Sequence, residues 1–203
     1  MPKILSSVLT VSLLVTLASA QIPTKGNIFV GYSYGRVNFS SPPTLPDTGS
    51  VVFANPANLN GWNGSLEGKI FRFVGIVADL SGYYGSPRFT ANCGLIIGCV
   101  PTTGRASANV YHVLFGPRLS VSIGKVTPFA HVLVGVGHVN QHSSSNFTFS
   151  NSATSFSEAL GGGIDYRLIP LFAWRVQADF LQTRFFTGMQ NNFRISTGIV
   201  FKF

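Results

Sequence analysis

The strongest constraint on this chain is a two-residue alternation that recurs in eight separate runs. It is clearest between 192 and 203. Phe193, Ile195, Thr197, Ile199, Phe201 and Phe203 hold the odd positions, and Asn192, Arg194, Ser196, Gly198, Val200 and Lys202 the even ones. Successive side chains of a strand point to opposite faces, so this segment has one apolar face and one polar, charged face. The run from Phe172 repeats the pattern. Phe172, Trp174, Val176, Ala178 and Phe180 oppose Arg175, Gln177, Asp179 and Thr183, with Leu181 the exception on the polar side. Comparable runs lie at 27–39, 62–70, 73–84, 109–122, 128–139 and 156–168. The expected class is all-β with eight strands.

Connector length alternates. The links at 71–72, 123–126 and 169–171 are tight, whereas 40–60, 85–108 and 141–154 are long and rich in Ser, Thr, Asn, Pro and Gly. A short connector near Thr187-Gly188-Met189 makes the last two runs a hairpin. Short turns at one end and long loops at the other describe an eight-stranded antiparallel up-and-down transmembrane β-barrel, with both termini at the short-turn end. Residues 1–20 read as a cleaved secretory signal: Lys3, an apolar stretch over 4–17, then Ala18-Ser19-Ala20. That leaves 21–203 as one barrel domain. Only 10% of residues are charged, against about 25% in an ordinary soluble domain. After the signal no stretch approaches an apolar helix of spanning length.

Volume and charge decide which face meets which solvent. Glu67, Asp79, Asp165 and Asp179 fall on the polar strand faces, as do Lys69, Arg118, Arg167, Arg175, Arg194 and Lys202. The apolar faces are bulky on every strand, whereas the polar faces are rich in Gly. An eight-strand interior is filled by side chains, so it accommodates the glycine-rich face and not the aromatic one. The ten charged residues are therefore expected to pair inside the lumen, because an isolated buried charge is costly. Asp165, Arg167, Arg175 and Asp179, on neighbouring strands, are the expected centre of one cluster. The apolar faces then meet lipid, with Tyr34, Trp62, Tyr84 and Trp174 suited to interfacial girdles. The alternative is a soluble lipocalin-like barrel with its apolar face inward.

Three segments carry a family resemblance: Gly161-Gly162-Gly163-Ile164-Asp165-Tyr166-Arg167, Trp174-Arg175-Val176-Gln177-Ala178-Asp179, and 192–203. They resemble the later strands of eight-stranded outer-membrane barrels of the OmpA/OmpX type. The resemblance implies a Gram-negative-type outer membrane, contact with its lipid and lipopolysaccharide, and no cofactor. It also implies recognition of the terminal alternation, ending in Phe203, by the bacterial barrel-assembly machinery. No peptidoglycan-binding domain follows the barrel, so wall anchoring by that route is not expected.

Cys93 and Cys99 bracket Gly-Leu-Ile-Ile-Gly. In an oxidising compartment this spacing predicts a structural disulfide closing a small loop, and it fits no zinc signature. Known small barrels include lipid A-modifying enzymes, so a rim site is the competing reading. Its candidates are His138 and His142, beside Ser143, Ser144 and Ser145, with Glu158. No motif organises them, and the two histidines lack a third metal ligand nearby in sequence. His112 and His131 fall on lumen faces as hydrogen-bonded fillers. The net charge of +8 is scattered over lumen faces and turns, which argues against nucleic acid and for anionic lipid. The turn bases Arg72 and Lys125 suit that contact. A filled interior argues against a diffusion pore, so the expected role is structural or surface-interacting, through the long loops.

Overall fold

The computed structural model describes residues 25–39, 49–93, 102–144, 148–185 and 188–203. The predicted signal lies outside them, as do Cys99 and the side chain of Cys93, so the expected disulfide does too. Eleven strands are present among the described residues: β1 (Gly26–Val37), β2 (Gly49–Phe53), β3 (Ala57–Lys69), β4 (Val74–Gly85), β5 (Arg88–Cys93), β6 (Thr102–Arg105), β7 (Ser107–Ser120), β8 (Val126–Ser144), β9 (Thr148–Arg167), β10 (Phe172–Thr183) and β11 (Gln190–Lys202).

Eight of them close into an antiparallel barrel in the order β1-β11-β10-β9-β8-β7-β4-β3. Closure is made by β1 against β11, from Asn27↔Lys202 to Arg36↔Phe193, and Gly26 exchanges both backbone hydrogen bonds with Phe203. No barrel strand is left with an open edge, so the wall's backbone groups are paired without water. The three tight turns are real. The sharpest, Ile123–Val126, has Gly124 at φ +62°, a left-handed conformation that a side chain disfavours.

The long connectors differ from expectation in two ways. Within 40–60 and 85–108 lie β2, β5 and β6, which form a separate three-stranded sheet in the order β2-β5-β6. Each continues a barrel strand past a break: Ala54–Pro56 before β3, Ser86 and Pro87 after β4, Ala106 before β7. Most of the predicted loop 141–154 is strand, because β8 and β9 stay paired out to Ser144↔Thr148. On its β10 side this hairpin rises well past Thr183↔Ser157, where the β9–β10 pairing ends, while β7 follows β8 out to Ser107↔His142.

The outward surface is apolar around the barrel. Val30, Phe115 and Leu160 are each about 60% exposed (65%, 59% and 61%). On β10 the apolar outward residues run from Phe172 to Phe180 and end at Gln182, where the surface turns polar. Eight strand steps at about 3.3 Å, tilted by about 40°, give a belt roughly 20 Å high. That approaches the ~25 Å band of membrane barrels. Above it lies a row of hydrogen-bonded polar pairs: Tyr32 with Asn60 and Tyr34 with Asn58, Trp62 with Tyr84, and His138 with Thr154. Aromatic and polar pairs of this kind suit the lipid–water boundary.

Candidate functional site

The lumen is filled in two zones. The outer zone is apolar, a feature the polar strand faces do not suggest. The buried face of the three-stranded sheet supplies Val51, Phe53, Phe89 and Ala91, which pack with the lumen-facing Val37, Leu59, Val110, Val139 and Phe185. Phe53 and Phe89 both meet Phe149 edge-on, with ring centroids 6.2 and 5.2 Å apart. The small sheet is thus held on the barrel mouth as a plug. A second apolar cluster of Val77, Leu114, Leu133, Ala159 and Leu181 accounts for Leu181, the odd residue of its strand's polar face.

Below the plug lies the charged zone. Glu67 accepts from Arg118 at 3.0 Å and Asn27 at 2.6 Å and pairs with Lys69 at 2.9 Å. Asp165 receives Arg175 bidentately, Nε at 2.6 Å and Nη2 at 2.9 Å. Arg194 spans two carboxylates, Asp79 at 2.7 Å and Asp179 at 2.6 Å. Asn63 donates to Asp79, and Gln177 donates to both Asn63 and Asp179. His131 completes the chain: its Nε2 lies 2.6 Å from Asp179 and its Nδ1 3.4 Å from an Arg118 nitrogen. Each acid has at least one cationic partner, the condition under which buried charges are tolerated.

The predicted residues separate into groups. Glu67, Asp79, Arg118, Asp165, Arg175, Asp179 and Arg194 are buried in the lumen, and Lys69 and Lys202 are half-exposed near its short-turn mouth. Arg167 is different. It is exposed at the β9 end and donates to the carbonyl of Gly124. Its position has lumen parity, but the strand gives way to the turn there. The expected Asp165–Arg167–Arg175–Asp179 cluster is therefore divided, with Asp179 taking Arg194 and His131 instead. Phe129 was not anticipated. The Arg118 and Arg175 guanidinium carbons lie 4.2 and 4.7 Å from its ring centroid, a cation–π contact to both. Its odd position beside His131 was the available clue.

Two glycines make room for this network. A Cβ on Gly161 would overlap the Asp179 carboxylate, and one on Gly75 would come within 2.7 Å of Glu67 Oε1. His112 is buried beside Ser157, at 3.2 Å.

Among the described side chains the competing rim site is not assembled. His138, His142 and Glu158 all face outward, whereas Ser143 is buried on the inner side of β8. A nucleophile and its base must be within hydrogen-bond reach, and opposite faces of one strand preclude that for His138 or His142 with Ser143. The side chain of Ser144 and all of Ser145 lie outside the described residues. Among the described residues no three His, Cys, Asp or Glu side chains are grouped to hold a metal ion.

No protein-family profile and no curated sequence matches the chain. Solved structures do. Ail, the attachment invasion locus protein of Yersinia pestis, solved with the heparin analogue sucrose octasulfate, is 19% identical. The match covers 87% of this chain and 98% of Ail at a TM-score of 0.53. Neisserial surface protein A is 10% identical over 88% of this chain and 97% of its own, at 0.62. The outer membrane protein OprG of Pseudomonas aeruginosa is 12% identical over 88% and 95%, at 0.57. At such identities the likeness is one of fold, and the fold is that of the eight-stranded outer-membrane β-barrels.

Proposed function

We propose that this protein is a non-catalytic integral barrel of the bacterial outer membrane, exported by its signal. In this reading its outer end recognises an anionic partner. The observation that carries the reading is the pair Arg88↔Arg105, directly opposite each other on β5 and β6 and both exposed. Like charges across a strand pair are destabilising when nothing neutralises them. Placed on a sheet raised at the long-loop end, they favour a sulfated or phosphorylated glycan as the neutralising partner, lipopolysaccharide among them. Ail, bound to sucrose octasulfate, offers a precedent of the same ligand class on the same fold.

A plug above and an ion-paired network below support a closed lumen rather than a pore. Phe203 and the outward alternation of β11 serve the assembly machinery. The test is heparin binding by the detergent-solubilised protein. Replacing both Arg88 and Arg105 by Gln is expected to weaken it about tenfold, from two exposed ionic contacts of somewhat under 1 kcal/mol each. Undiminished binding by that variant contradicts the reading.

A further inference from the structure

The charge of the lumen is not evenly distributed along the axis. Near the short-turn end Lys69, Arg118, Arg175 and Lys202 face only Glu67 and Asp165. Higher up, Arg194 alone faces Asp79 and Asp179. The lower zone thus carries an excess of two positive charges, and the acids and arginine of the upper zone an excess of one negative charge. The lower zone also opens into a cavity of about 780 Å³ at the short-turn mouth, within the range of small-molecule sites.

We propose that this vestibule is a second binding site, for a small multivalent anion carrying phosphate or carboxylate groups and entering from the periplasmic side. Its depth is lined by Arg118, Phe129 and Asp165, and its mouth by Lys25, Lys69 and Lys202. Glu67 is engaged by Arg118 and Lys69, and Asp165 by Arg175, so neither carboxylate is paired with Lys25 or Lys202 at the mouth. Lys25 and Lys202 make no ion pair within 4 Å among the described residues, and the buried Nε of Arg118 has no hydrogen-bond partner there. A concave, low-dielectric wall with an excess of positive charge concentrates anions. Lysine at the rim and arginine in the depth are the donors that phosphate and carboxylate take. The Phe129 ring, stacked with Arg118 and Arg175, closes the cavity toward the rest of the lumen and keeps the two guanidiniums in place.

This site is at the opposite end from Arg88 and Arg105, so the two assignments succeed or fail separately. The experiment uses the mature protein in phosphatidylcholine nanodiscs, titrated calorimetrically with inorganic pyrophosphate and with succinate. Folding of every variant is verified by the mobility of unheated samples on gels. The wild type is expected to bind at least one probe at a single saturable site, more weakly as salt rises. Lys25→Gln combined with Lys202→Gln should weaken that binding at least tenfold, and Arg36→Gln, at the exposed outer end of β1, should leave it unchanged. Repeating the titration in phosphatidylglycerol nanodiscs separates the sources. Competition identifies lipid headgroups as the natural occupant, and undiminished binding identifies a soluble anion. Absence of saturable binding of both probes overturns the proposal. So does full affinity in the lysine double variant, or an equal loss in Arg36→Gln.

Discussion

His131 Nε2 lies 2.6 Å from Asp179 Oδ1, and this contact joins the two charged layers of the lumen. On its other side the ring meets Arg118, which pairs with Glu67. The Asp179 carboxylate can only accept, so Nε2 carries the proton given to it. A continuous path then runs from Lys69 through Glu67, Arg118, His131, Asp179 and Arg194 to Asp79, crossing the barrel between strands far apart in sequence.

The members of this path differ in consequence. Arg194→Met leaves Asp79 and Asp179 without their shared cation and is expected to cost about 3–5 kcal/mol. His131→Leu removes one charge-assisted hydrogen bond and should cost about 1.5–3 kcal/mol. Urea unfolding from lipid vesicles, followed by tryptophan emission, checks the order. Equal effects would mean that the two layers are not built as described.

Glycine spacing is a packing requirement of the same network. Gly161→Ala drives a methyl group into the Asp179 carboxylate and should destabilise by about 1–3 kcal/mol. A Cβ on Gly64 meets only the Phe29 carbonyl oxygen, at 3.7 Å. Gly64→Ala should therefore stay within about 0.5 kcal/mol. The same unfolding assay distinguishes them.

The plug should loosen without the barrel opening. Phe53→Ala removes a ring that packs on Phe39, Phe89 and Phe149, a loss of about 3–5 kcal/mol if felt by the whole fold. The three-stranded sheet is a peripheral unit, so the loss should fall on its local opening. Amide hydrogen exchange is expected to accelerate in β2 and β5 while β10 and β11 stay protected. Uniform acceleration would make plug and barrel one cooperative unit.

Much of this architecture was legible because the membrane gives a strand two different solvents. Where both faces of β10 or β11 lie within the bilayer, alternation marks each residue's face, and seven of the ten expected lumen ions are buried as parity requires. Legibility ended where the solvents became alike. Ser150, Asn151 and Ser152 lie above the apolar belt and carry no apolar outward face, so the upper β8–β9 hairpin reads as loop. Strands β2, β5 and β6, of four to six residues, are too short to show a period. The pairing of Arg194 with Asp79, 115 residues away, follows from closure across the lumen, which no local pattern records. Arg167 kept the parity of the lumen but not its depth.

Depth along the wall gives a further check. Val176→Arg places a charge mid-belt and should cost about 2–4 kcal/mol, whereas Gln182→Arg, at the polar edge, should cost about 0–1 kcal/mol. Refolding yields into vesicles over a urea series measure both. Similar costs would contradict the belt's position.

The facing of the wall is tested most directly by its two tryptophans. Trp62 and Trp174 both point outward, 43% and 49% exposed, and the chain has no others. In vesicles of lipid brominated along the acyl chains, both should be strongly quenched, while aqueous acrylamide quenches them weakly. Emission indifferent to bromine but quenched freely by acrylamide would place the apolar face away from lipid and contradict the account.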